Sequence, residues 1–344
     1  MNLAPNFATL VFVQNNEFNQ PENFPSPPIK KDFIPSETLP VSPNNPPWSG
    51  WAAFGVWFAS VAFIIILPNI FLLPYLSTQQ LDLTDKTTLI EFAKNDPTAI
   101  FLQIISVIPS HIFTLLLCWL VVTRFRKFPF RETLGWKWNG FNLWNCLLIL
   151  GLLCVLVALI SYLIPEQDND FLRILRSSRA VIFVVAFLAT FTAPLVEEVV
   201  YRGILYSAFQ RTFKTPTRVL LSNYRIFHKC KILLLKFNLY EFTKKLLLMI
   251  ERLQSKFAIL FAILFVTSAF ALVHVPQYWG SPGTIFLICI LSLVLTLLRW
   301  RTGNLLPCVF LHTVINGSQS LILIFQPYIE NQSPQVASFI HFFK

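Results

Sequence analysis

Apolar residues gather in long runs along this chain, and short polar stretches divide them. Runs cover about Trp48–Leu76, Ala99–Thr123, Leu143–Ile164, Ala180–Phe209, Phe257–His274 and Thr284–Trp300. A seventh starts after Gly303 and Pro307 and reaches about Phe325. Each comes near the roughly 20 residues with which an α-helix crosses a bilayer. The pattern predicts an all-α polytopic transmembrane helix bundle of about seven to eight spans, with a short amphipathic stretch in the tail 328–344. Residues 1–47 break the pattern. Ten prolines, with Asn and Ser, predict a disordered tail that buries no core. No apolar stretch near Met1 suggests a cleavable signal peptide. The expected division is therefore a tail over 1–47 and a helix bundle over 48–344.

Composition agrees. Of 344 residues, 55% are hydrophobic and 13% charged, against roughly 25% charged in soluble domains. Mean hydropathy is +0.60. The six cysteines form no C-x-x-C pair, which argues against a thiolate metal site or a redox motif.

The net charge of +10 is uneven. Residues 211–256 hold eleven Lys and Arg against Glu241 and Glu251. Beside membrane spans, such a segment fits anionic lipid headgroups better than nucleic acid. Its second half, Ile226–Phe257, mixes apolar and basic residues at helical spacing, which predicts an amphipathic helix on the membrane face. Basic residues also follow the second span (Arg124, Arg126, Lys127, Arg131) and the sixth (Arg299, Arg301), while acids fill the loops after the first and third spans. That alternation places the N-terminus in the cytoplasm, with Arg173, Arg176 and Arg179 on the wrong side.

Against this background, Pro194-Leu195-Val196-Glu197-Glu198-Val199-Val200-Tyr201-Arg202 stands out. Two carboxylates and a guanidinium inside a span are costly and tend to face the bundle interior as pairs. Glu198 and Arg202, four apart, share a helix face. Glu197 lies about 100° round the helix from Glu198. The spacing predicts a supporting Glu198–Arg202 ion pair and a Glu197 left to exchange protons. Pro194 is expected to open the backbone ladder locally. Two later spans carry His274, one turn after Phe270, and His312, one turn before Asn316. His312 and Asn316 share a face on which both could hydrogen-bond one oxygen. His111 has no motif around it and is expected to make only a helix–helix hydrogen bond.

Glu-Glu-x-x-x-Arg, Phe-x-x-x-His and His-x-x-x-Asn follow in that order on three spans, with Arg301–Pro307 leading into the last. From about Leu134 to Phe325 the sequence resembles the CPBP family of intramembrane proteases. That family includes the type II CAAX prenyl endopeptidases and the bacterial Abi or bacteriocin-processing proteins. The resemblance implies an endopeptidase acting on a protein or peptide, lipidated or not, at the membrane. It implies that Glu197 and His274 activate water, that His312 and Asn316 hold the oxyanion, and that Glu198 and Arg202 support them. It leaves two views of the cofactor: no metal, or zinc on Glu197, His274 and His312. The zinc-protease helix His-Glu-x-x-His is absent. A bacterial inner membrane is the expected location. Glu197 and His274 are 77 residues apart, longer than the family's usual link, so 211–256 reads as an insertion. The competing functions are a non-catalytic scaffold or immunity factor of the same fold, and a transporter using these groups as a proton relay.

Overall fold

A computed structural model describes residues 40–82, 84–164, 170–213 and 240–330. Its helices are α1 (Gly50–Leu76), α2 (Lys86–Asn95), α3 (Pro97–Ile105), α4 (Val107–Thr123), α5 (Phe130–Leu134), α6 (Leu143–Leu163), α7 (Asp170–Ser177), α8 (Arg179–Phe213), α9 (Tyr240–His274), α10 (Pro282–Thr302) and α11 (Leu306–Glu330). Among the described residues, seven segments are long and apolar enough to cross a membrane: α1, Pro97–Thr123 across α3 and α4, α6, α8, Arg252–His274 of α9, α10, and Leu306–Phe325 of α11. The chain is an integral membrane protein with an all-α fold.

Local chemistry sets several helix ends. Side-chain oxygens of Ser49, Asn142 and Ser178 accept from backbone N–H groups in the first turns of α1, α6 and α8, satisfying donors that a helix start leaves unpaired. Gly303, at φ +68°, closes α10 in the left-handed conformation that glycine adopts without penalty. Asp85 caps α2 by accepting from Thr87 and Thr88. Hydrogen bonds from Thr88 and Thr87 hold its carboxyl below the usual carboxylate range. The cap is therefore present at neutral pH and lost as pH falls through that lowered value. The protection of α2 amides, relative to their intrinsic exchange at the same pH, is expected to fall under those acid conditions while α8 stays protected.

α8 lies at the centre, against α1, α4, α9, α10 and α11. α6 is peripheral. Its Trp144, Leu148, Leu152, Val155, Leu159 and Tyr162 are exposed at helical spacing, the face a span offers to lipid. α9 instead buries Ala258, Ala262, Val266, Ala269 and Phe270. Small side chains on such a face let neighbouring spans approach closely.

Two boundaries differ from the sequence reading. Helix α9 begins at Tyr240 and runs unbroken into the fifth span. At 1.5 Å per residue its 35 residues extend about 52 Å, well beyond a bilayer core of roughly 30 Å. From Tyr240 the expected amphipathic helix is therefore continuous with the spanning helix rather than separate from it. Residues 226–239 of that expected helix lie outside the described residues.

The N-terminal side also changes. The expected tail over 1–47 falls outside the described residues as far as 39, but 40–47 pack against the bundle. Pro46 and Trp48 are buried, and the Trp48 indole donates to the Ile204 carbonyl at 3.1 Å. Arg299 is fully buried and donates to the Pro43 carbonyl at 3.0 Å and to Ser207 Oγ at 3.2 Å. Arg211 donates to the Pro46 carbonyl. Pro43 lies in a turn closed by backbone bonds between Ser42 and Asn45, and its carbonyl and that of Pro46 face these guanidinium groups. Arg299 is thus an internal clamp rather than a loop charge, which leaves the exposed Arg301 as the charge at that exit.

Candidate active site

Helix α8 is not a uniform α-helix. Leu188–Thr192 and Val199–Leu205 are π-helical, and the α-helical turn Ala193–Glu198 between them carries both glutamates. Pro194 explains the first departure. In the π register each carbonyl accepts from the N–H five residues on, as Leu188 does from Ala193. The corresponding donor for Ala189 would be residue 194, a proline with no N–H. The Ala189 carbonyl instead accepts from Asn316 Nδ2 at 3.0 Å. Pro194 therefore opens the ladder as its sequence position suggested, and Asn316 closes it from α11. Replacing Asn316 with leucine leaves that carbonyl unpaired in the bundle. The expected loss is about 1–3 kcal/mol of stability, read by thermal unfolding in detergent.

Glu198 and Arg202 form the expected pair, both fully buried, with Nη1 donating to Oε1 at 2.8 Å. α10 completes the cradle. Arg202 Nη2 donates to the Ser292 carbonyl at 2.9 Å and to Ser292 Oγ at 2.8 Å, and Nε donates to Thr296 Oγ1 at 3.3 Å. The guanidinium also sits 4.7 Å from the Phe270 ring centroid, within cation–π range. A charge taken out of water is tolerable when its donors are satisfied in this way.

His312 from α11 enters on the other side of Glu198. Its Nδ1 lies 2.9 Å from the same Oε1 that Arg202 uses. Because the ionised carboxylate only accepts, Nδ1 carries the proton, and Nε2 is left to face Glu197 Oε2 at 3.7 Å. That separation is an electrostatic contact, longer than a hydrogen bond. Glu197 itself makes no hydrogen bond among the described residues and is 24% exposed, whereas Glu198 is at 0%. The two neighbouring carboxylates therefore differ in environment, one locked by cation and imidazole, the other open.

His274 ends α9. Its Nδ1 donates to the Phe270 carbonyl at 2.7 Å, which leaves Nε2 as an acceptor in the neutral ring. The Phe270 ring stands 4.7 Å from His274 and 6.1 Å from His312, centroid to centroid. Glu197, Glu198, Arg202 and His312 thus form one contact network, and Phe270 joins His274 to it. Asn316 lies one turn beyond His312, with one amide N–H committed to Ala189. His111 bonds Thr192 at 2.9 Å, apart from these contacts. No three His, Cys, Asp or Glu side chains among the described residues are arranged to hold a metal ion, so Glu197, His274 and His312 as placed do not fit a zinc site.

Residues 179–227 and 245–318 match the family model of the type II CAAX prenyl endopeptidase Rce1-like proteins. Over these residues the chain is similar to the Rce1-like proteins. All six residues singled out in α8, α9 and α11 fall inside the matched segments of this CPBP-family domain. The break in the match, 228–244, lies within the basic segment 211–256 that reads as an insertion. No curated protein and no solved structure matches the chain. An Rce1-like domain implies intramembrane protease function, and hence a protein or peptide substrate.

The sequence reading did not reach Ser292 and Thr296. The available signal was a pair of polar residues four apart inside a span, a spacing that shares a helix face. It also missed Tyr201, which lies inside the glutamate motif but carries no charge.

Proposed function

We propose that this chain is an endopeptidase that cleaves a membrane-associated protein or peptide with water activated by Glu197 and His274. The contrast between Glu197, partly exposed and without a hydrogen bond among the described residues, and Glu198, buried on Arg202 and His312, carries this reading. Glu197 takes a proton from water as the water oxygen bonds to the scissile carbonyl carbon. His274 Nε2 accepts the second water hydrogen and holds the nucleophile in line. The carbonyl oxygen becomes an oxyanion, which His312 Nε2–H, when that ring is doubly protonated, and the remaining Asn316 N–H would stabilise. The C–N bond then breaks, and the amine leaves with the proton held by Glu197. Glu198 and Arg202 touch no substrate atom in this scheme and fix His312.

The family description points to a prenylated CAAX-type substrate, and the exposed apolar faces of the bundle are compatible with a lipidated peptide approaching from the bilayer. The cytoplasmic N-terminus rests on the basic residues after the second and fourth spans, and a bacterial inner membrane is the proposed location. Anionic headgroups are the proposed partners of 211–256.

The test is cleavage by purified protein in detergent, with a farnesylated CAAX peptide and its unlipidated twin. Wild type is expected to cleave, and His274→Ala to lose about 10²-fold or more in kcat. Equal rates for the two proteins would remove His274 from the mechanism. Activity is expected to survive a chelator, and its loss in chelator with recovery on added zinc would overturn the metal-free scheme.

A further inference from the structure

Both catalytic histidines meet one ring, Phe270, and something must hold that ring. Tyr201 packs against it nearly edge-on, with centroids 5.0 Å apart and planes at 74°. Tyr201 lies in the π-helical stretch after the glutamates and is buried. Its hydroxyl accepts a hydrogen bond from the Trp57 indole at 3.1 Å. Trp57 belongs to α1, outside the segments that match the Rce1-like family. A column therefore runs from Trp57 through Tyr201 and Phe270 to His274 and His312.

We infer that Trp57 and Tyr201 are positioning residues for the two histidines, so that α1 is part of the active-site support rather than only part of the bundle. The inference rests on the protease reading for its functional consequence, but not for its geometry.

The physical case has three steps. Edge-to-face aromatic contacts are directional, so the tilt of Tyr201 constrains the tilt of Phe270. Phe270 in turn bears on the His274 ring, whose Nδ1 is tied to the Phe270 carbonyl, so ring and backbone contact act on one imidazole. The Tyr201 stretch also needs an outside anchor. A π-helical turn holds its side chains in a less common register, and the Trp57 indole supplies a fixed polar point there. Without that bond Tyr201 keeps its packing but loses its rotational reference. Small displacements of catalytic groups are costly in rate, because reacting atoms must lie within a narrow range.

Phenylalanine at either end removes the same hydrogen bond while keeping an aromatic ring. The experiment compares wild type, Trp57→Phe, Tyr201→Phe and the double variant. With histidine-labelled protein in detergent micelles, the imidazole resonances of His274 and His312 are expected to shift in all three variants. The resonance of His111, which bonds Thr192, serves as the control and should stay in place. On a cleavable peptide, each single variant should lose about fivefold in kcat at unchanged KM, from one hydrogen bond of ordinary strength. The double variant should also lose about fivefold, because both substitutions break one interaction.

Unmoved His274 and His312 resonances would overturn the inference whatever the activity. Losses that multiply to about 25-fold would overturn it too, since independent sites add in free energy and the Tyr201 hydroxyl would then act by itself. Shifted resonances in a protein that cleaves nothing would leave the positioning intact and count against the protease reading alone.

Discussion

Glu197→Gln is expected to slow cleavage by orders of magnitude while leaving the fold unchanged. The substitution keeps size and shape but removes the group that accepts the water proton. General-base catalysis contributes typically 10²–10⁴-fold, so the rate should fall by about 10³-fold. Stability should move by less than about 0.5 kcal/mol, because Glu197 is partly exposed and makes no hydrogen bond among the described residues. Its neighbour should behave in the opposite way. Glu198 receives Arg202 and His312 on one oxygen, and its other oxygen is buried with no partner among the described residues. Glu198→Gln weakens both bonds, so the protein should lose stability along with activity. The pair of variants separates chemistry from support. Cleavage by Glu197→Gln within about threefold of wild type would remove the proposed base, since that is far below the general-base range.

The spans were legible because the bilayer admits few solutions. A buried backbone must satisfy itself, so long apolar runs in a chain of this composition become helices. The same constraint made Glu197, Glu198 and Arg202 conspicuous, and helical spacing sufficed to split them. The structure pairs Glu198 with Arg202 and leaves Glu197 apart. Spacing could not show what surrounds that pair. Ser292 and Thr296 sit 90 and 94 residues from Arg202 in sequence, and nothing local ties them to it. The π-helical turns were hidden for a different reason. The first follows from Pro194, which leaves the Ala189 carbonyl to a donor, Asn316, 127 residues away from it. Gly203 is similar. A Cβ there would come within 3.0 Å of the Leu134 side chain and 3.4 Å of the Leu305 side chain, a close approach set by tertiary packing. Proline-rich composition was also a poor guide for 40–47, where the Pro43 and Pro46 carbonyls became acceptors for the buried Arg299 and for Arg211.

Arg202→Met should be the most destabilising of the single changes considered. Methionine fills part of the volume, but Glu198 is left as a buried carboxylate with its cation gone. Breaking a buried pair from one side costs roughly 3–5 kcal/mol, and the Ser292 carbonyl and Thr296 hydroxyl lose a donor as well. Arg202→Lys does not repair this. An ammonium carries the charge but lacks the planar fork that reaches Glu198, Ser292 and Thr296 together. The informative comparison is the double variant Arg202→Met with Glu198→Gln. If the cost comes from the uncompensated carboxylate, neutralising it should recover part of the loss, and the double variant should unfold above Arg202→Met in a detergent melt. Activity should not recover, because His312 then donates Nδ1–H to a neutral amide oxygen instead of a carboxylate and is held less firmly beside Glu197. A double variant that unfolds below both singles would show that the pair acts through packing of α8 on α10 rather than through charge. Arg202→Met melting with wild type would show that the buried pair is not what holds these two spans together.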